Sequence, residues 1–175
     1  LSLFPDLLGF QPVPPERGVD WTLFFDRPGT QSAQRARKID GRMVPALIHL
    51  PAAIAGTAGP EDYHSLAVRD LQRGQGVGLP SGEAVARHVG AEPLTEDEVG
   101  LGGIGWTGET PLWYYILREA DVTTGGACLG PVGGRIVAEV VITLLERDPE
   151  SILSKGGAFE PEGSLIELLQ QDYSP

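Results

Sequence analysis

The chain has 175 residues, 41% of them hydrophobic and 21% charged, with 13 Lys and Arg against 24 Asp and Glu for a net charge of -11. That is the composition of a folded domain long enough to bury ~70% of its unfolded surface, and its acidity argues against nonspecific binding to nucleic acid or an anionic membrane. A single cysteine, Cys128, rules out an internal disulfide and a thiolate metal cluster; no apolar run of ~18 residues and no basic region before an apolar stretch suggests a membrane span or a signal peptide.

Residues 1–31 form a lead-in rich in proline and aromatics, where each proline lacks an amide donor and restricts the residue before it. Val19 to Asp26 is strand-like by composition. Ala33 to Gly41 carries the cluster Arg35, Arg37 and Lys38, read as a solvated helix end near Gly41 rather than a binding patch. Gly56 to Pro60 is a turn-like break.

Ser65 to Pro80 reads as a helix running into a glycine-rich turn. At 3.6 residues per turn Tyr63, Leu66, Ala67, Asp70 and Arg73 share one side, so two charges fall on a face that otherwise looks core-directed. They either pair with each other at the surface, being three apart, or serve a partner in a buried setting. Ser81 caps a helix through His88, with Gly90 as its stop, and Thr95 to Glu98 fits a capping box. Gly100 to Gly108, with five glycines and Trp106, is a loop without the features of a phosphate cradle.

Thr110-Pro111 predicts a helix start, cap then N1 proline, with Leu112, Trp113, Ile116 and Leu117 on one broad face. Gly133-Gly134 opens a helix whose Ile136, Val137, Val140, Val141, Leu144 and Leu145 make it nearly apolar all round, which predicts a place in the middle of a bundle. Asp148-Pro149 suggests another short helix, and Ser164 to Glu167 a capping box for a tail helix within 156–175.

Two blocks carry a resemblance. Asp70-Leu71-Gln72-Arg73-Gly74, then Gly78-Leu79-Pro80-Ser81-Gly82, is similar to the segment of the animal-type haem peroxidase family written N-x-x-R-G/S-R-D-H-G-L-P, with features of its bacterial branch. Asp stands at the Asn place, and Gln75-Gly76-Val77 replaces Arg-Asp-His. The second block, Thr110 to Ala120 and then Leu129 to Glu139, resembles two helices near the C-terminus of bacterial members. The likeness extends from about Leu3 to Leu153. It implies a mainly α chain of 175 residues in one helical region, the C-terminal part of a larger haem peroxidase domain, and the start at Leu1 rather than Met fits a truncated, processed or incompletely recorded polypeptide. The Asp-Trp-x-x-Phe-Phe segment at 20–25 is then expected to be helical.

The resemblance also implies roles. Asp70 would accept the hydrogen bond of a proximal histidine lying outside this chain, and Arg73 would reach a propionate of haem b, bound only when the N-terminal part of the domain, or a second chain supplying it, is present. The parent reaction is peroxide reduction coupled to oxidation of an organic or halide donor; fatty-acid oxygenases belong to the same superfamily. The distal residues belong to regions the segment lacks, so the chain alone is expected to be inactive. A carboxylate on the far nitrogen of a ligating imidazole raises its basicity and its electron donation to iron. A non-enzymatic helical interaction or structural domain on the same scaffold is the alternative.

Other chemistry is poorly supported. His49, His64 and His88 lie on no shared helix with ligand spacing, and each reads as a surface or helix-end residue rather than a ligand. Cys128 follows Gly125-Gly126-Ala127 with no histidine nearby, and reads as an incidental or structural thiol rather than a nucleophile.

Overall fold

A computed structural model describes residues 18–20, 23–26, 32–56 and 64–154. The chain divides into two compact units, one of Leu1–Arg37 with Glu160–Pro175 and one of Lys38–Phe159. The tail helix expected within 156–175 and most of the 1–31 lead-in lie outside the described residues. The fold is mainly α, with no strand among the described residues.

In the first unit Leu23 N–H donates to Asp20 O at 3.1 Å; Trp21 and Thr22, in the segment expected to be helical, lie outside the described residues. Asp26 then holds the chain, accepting the Ala33 N–H at 2.8 Å and the Arg35 guanidinium at 2.6 Å. The basic stretch from Ala33 is therefore irregular and not the end of a helix. Beside these two bonds to the Asp26 carboxylate, Leu23 O accepts from Gln34 N–H at 2.8 Å.

In the second unit two short helices, α1 (Pro45–Ile48) and α2 (Ala52–Ala55), each start beside a proline; α2 ends at Gly56 with φ 81°. Helix α3 covers Leu66–Gly76, α4 Gly82–Val89, α5 Glu96–Val99, α6 Leu112–Thr124 and α7 Pro131–Arg147. Ser81 caps α4 by accepting the Ala84 N–H, and Gly90 closes it in the left-handed region at φ 76°, as the sequence predicts. The capping box of α5 is complete, with Thr95 and Glu98 each accepting the other's backbone N–H. A 3-10 turn at Gly102–Ile104 interrupts the glycine-rich loop that follows.

Helices α4, α6 and α7 pack on one another, α5 lies on α6, and α3 touches α1 and α6. Their common core is Ala86, Tyr115 and Val132, fully buried, with Val85, Leu94, Leu112, Ile116 and Ile136 around them. The spacing Leu112, Tyr115, Ile116, Glu119, Ala120 is the core-facing stripe of α6, so Tyr115 and Glu119 rather than Trp113 and Leu117 sit deepest. Tyr115 lies so close to Gly82 that any side chain there would overlap its ring.

Three expectations are corrected. Helix α6 has Pro111 as its N-cap and no side-chain cap, because the Thr110 hydroxyl and N–H both go to the Glu83 carboxylate. Helix α7 starts at Pro131, two residues before Gly133, and only its first turns are covered. Val132 is buried, but Val137, Val140 and Leu144 are 49%, 54% and 65% exposed. It is not enclosed in a bundle in this chain. After it, the Asp148 carboxylate accepts the Glu150 N–H and the chain passes through hydrogen-bonded turns, not a further helix.

Candidate functional site on the third helix

Helix α3 forms because Ser65, in extended conformation, accepts the Val68 N–H with its hydroxyl and so satisfies one donor of the first turn. The helix runs on through Gly74 and Gly76. Leu79 N–H then closes onto Gly74 O at 3.0 Å, and Gly78 turns the chain at φ 68° toward Ser81. No residue of α3 is fully buried.

Asp70 and Arg73 lie one turn apart on this helix, with Arg73 Nη1 at 3.7 Å from Asp70 Oδ1. The Arg73 side chain is 74% exposed and that of Asp70 29%. Of the two arrangements left open by the spacing, the one present is the mutual pair at the surface. The core-directed face does not extend to Arg73, which stands in solvent; Tyr63 lies outside the described residues. A pair this exposed adds little to stability.

Two further contacts hold the start of α3 to the segment before it. Leu50, itself buried, donates its N–H to His64 O at 2.7 Å. Arg69 reaches back fourteen residues and donates from Nη2 to the Ala55 carbonyl at 2.9 Å. The sequence reading missed Arg69, since nothing in a helical pattern tells which guanidinium finds a distant carbonyl.

Haem binding asks for an axial donor, an acceptor for the far N–H of an imidazole ligand, and cations for two propionates. The residue types for the second and third requirements stand together on α3: a half-buried carboxylate and an accessible guanidinium 3.7 Å from it. For those supporting roles the residues fit. An axial ligand is not assigned: His49 and His88 are exposed, His64 is the half-buried residue at the entry to α3, and the described residues contain no group of three or more His, Cys, Asp or Glu able to hold a metal. Cys128 is free and exposed, with its carbonyl taken by the Thr124 hydroxyl at 2.7 Å.

Away from α3 two carboxylates are used for architecture. Glu119, 2% exposed, accepts the Val132 N–H at 3.1 and 3.0 Å and the Gly133 N–H at 3.2 Å, so it caps α7 from α6. Glu83 in the first turn of α4 ties down Thr110. Between α4, α5 and the loop lies an open cleft of about 630 Å³, lined among others by Arg87, Leu94, Val99, Trp106 and Glu109. Its polar groups are largely committed to one another: Trp106 Nε1 donates to Gly108 O at 2.8 Å, Ser81 to Glu109 at 2.7 Å, and Arg87 stands 3.6 Å from Glu109.

The described residues include no helix long and apolar enough to cross a membrane. Comparison of the chain with known protein families, with curated proteins and with solved structures gives no match.

Proposed function

We propose that this chain is the C-terminal part of a haem peroxidase domain of the animal type, bacterial branch, and that it supplies the proximal-side support of the haem. The observation that carries the reading is the placement of Asp70 and an accessible Arg73 one turn apart on α3, in the same segment whose residues resemble the family's N-x-x-R-G motif. The Thr110–Ala120 and Leu129–Glu139 blocks, which resemble later helices of the family, fall on α6 and α7.

In this reading the haem, bound with the N-terminal part of the domain, supplies the redox chemistry of peroxide reduction and of donor oxidation. Asp70 turns from Arg73 to accept the far N–H of an imidazole contributed from outside this chain. A full carboxylate there draws the imidazole proton more strongly than an amide oxygen and makes the ring a better donor to the metal. Arg73 holds a propionate by a charge-assisted pair and limits the porphyrin to one orientation. A small organic molecule or halide is the electron donor.

The test is the haem reduction potential of the assembled protein. Asp70→Asn is expected to raise it, because weaker electron donation from the axial ligand favours the reduced iron. A potential equal to that of the wild type removes Asp70 from this role.

The second reading, a helical interaction or structural domain without haem, is favoured by one observation. Asp70 and Arg73 already partner each other, as in any surface pair. A protein that purifies without haem and without a second polypeptide supports it.

A further inference from the structure

The ion pair of Asp70 is too long and too exposed to fix the carboxylate in place: Arg73 is 3.7 Å away and 74% exposed. The position of Asp70 is therefore set by the backbone of α3. The residue before it, Arg69, carries a side-chain bond that joins this helix to another element, from Nη2 to Ala55 O at 2.9 Å. Ala55 is the last residue of α2, where carbonyls have no donor within the helix and where a cation is favoured by the helix dipole. Gly56 turns away at φ 81° immediately afterwards.

We infer that Arg69 is a positioning residue for Asp70. Successive residues of a helix stand about 100° apart, so the bond to α2 fixes one flank of α3 and thereby the direction in which the Asp70 carboxylate is presented. Without the bond α3 keeps its packing on α1 and α6 and the Leu50–His64 hydrogen bond but loses its side-chain tie to α2, and a displacement on the order of 1 Å is enough to lose an oriented hydrogen bond to an imidazole. In this role Arg69 acts through Asp70 and not on a reacting group. The inference rests on the proposed role of Asp70, and the measurements separate the two.

The experiment compares haem reduction potentials of the assembled protein carrying Asp70→Asn, Arg69→Met or Arg69→Lys. Arg69→Met keeps the apolar stem and loses the donor; Arg69→Lys keeps a cation and a donor. Loss of a cation near haem by itself lowers the potential, since a positive charge favours the reduced state. The expected result is the opposite: Arg69→Met raises the potential toward that of Asp70→Asn, and Arg69→Lys restores it toward the wild type. Faster amide exchange in the first turns of α3 accompanies the rise when Arg69→Met is studied in the 175-residue chain alone.

Arg69→Gln, too short to reach Ala55, reads the same question where Arg69→Met does not assemble. An unchanged or lowered potential in Arg69→Met, with Asp70→Asn raised, overturns the inference and leaves Asp70 in its role. An unchanged potential in Asp70→Asn overturns both.

Discussion

The carboxylate of Glu119 and the backbone N–H of Val132 meet across thirteen residues, at 3.1 and 3.0 Å, with both residues buried. A side chain from α6 thus satisfies donors of the first turn of α7, and its negative charge sits at the favourable end of that helix. Gly130 is buried against the same carboxylate, and a side chain there would overlap it. Glu119→Ala leaves the Val132 and Gly133 donors buried and unpaired, and is expected to cost about 3 kcal/mol in unfolding free energy. Glu119→Gln keeps one accepting oxygen and should lose about half of that. Chemical denaturation checks both, and equal stability of Glu119→Ala and wild type would remove the joint from the account.

This joint also shows where sequence reading stops. The caps at Ser81 and Thr95 and the glycine at 90 were legible because the partners lie within three or four residues of each other. Glu119 left a weaker trace, a carboxylate on the apolar stripe 112, 115, 116, 119, 120, which requires a buried partner without saying which. Thr110 misled the reading for the same reason. Its sequence context is that of a cap, but Glu83, 27 residues away, takes both of its donors. The Asp70–Arg73 pair was legible as a spacing, whereas the Arg69–Ala55 bond depends on a tertiary approach that no periodicity encodes.

Tyr115 against Gly82 is the tightest point of the core. Gly82→Ala forces a methyl into the Tyr115 ring and is expected to destabilise by about 3 kcal/mol, at the upper end for overpacking. Tyr115→Phe keeps the packing and loses only the hydroxyl that accepts the Leu94 N–H at 2.9 Å, a cost of about 1 kcal/mol. Thermal unfolding of the two variants should rank them in that order.

The cap of α5 has a predictable pH dependence. The Thr95 backbone N–H, then the Thr95 hydroxyl and the charge of Arg118, hold Glu98 below the ordinary glutamate value of 4.5. A carboxyl whose folded value is depressed stabilises the fold above the unfolded value and ceases to do so as pH falls through the folded one. The stability difference between wild type and Thr95→Ala should therefore be constant near neutrality and shrink only below about pH 4.5. Tyr115 runs the other way. Burial raises its phenol above the ordinary 10.0, so its contribution is whole below pH 10 and declines as the pH rises beyond it. Unfolding curves across both ranges check the signs.

The outer half of α7 predicts surface behaviour. Val140 and Leu144 are 54% and 65% exposed, so the double change to Lys is expected to alter stability by no more than about 0.5 kcal/mol per site. It should also reduce self-association and the binding of a hydrophobic dye by the isolated chain. A large loss of stability would mean that these side chains are covered.

At the surface pair itself, Arg73→Ala is expected to leave the stability of the chain within about 0.5 kcal/mol of wild type, since the guanidinium is 74% exposed and 3.7 Å from its partner. The same change should weaken haem retention in the assembled protein, where Arg73 is proposed to bind a propionate. Denaturation of the chain and haem loss to a scavenger protein measure the two effects separately.

The most direct measurement is native beside denaturing mass spectrometry of the protein purified from its source. The account predicts a native mass that contains this chain, haem and the polypeptide carrying the N-terminal part of the domain, with haem lost on denaturation. A native mass equal to this chain alone, free of haem, would contradict it and leave the helical interaction domain as the reading that stands.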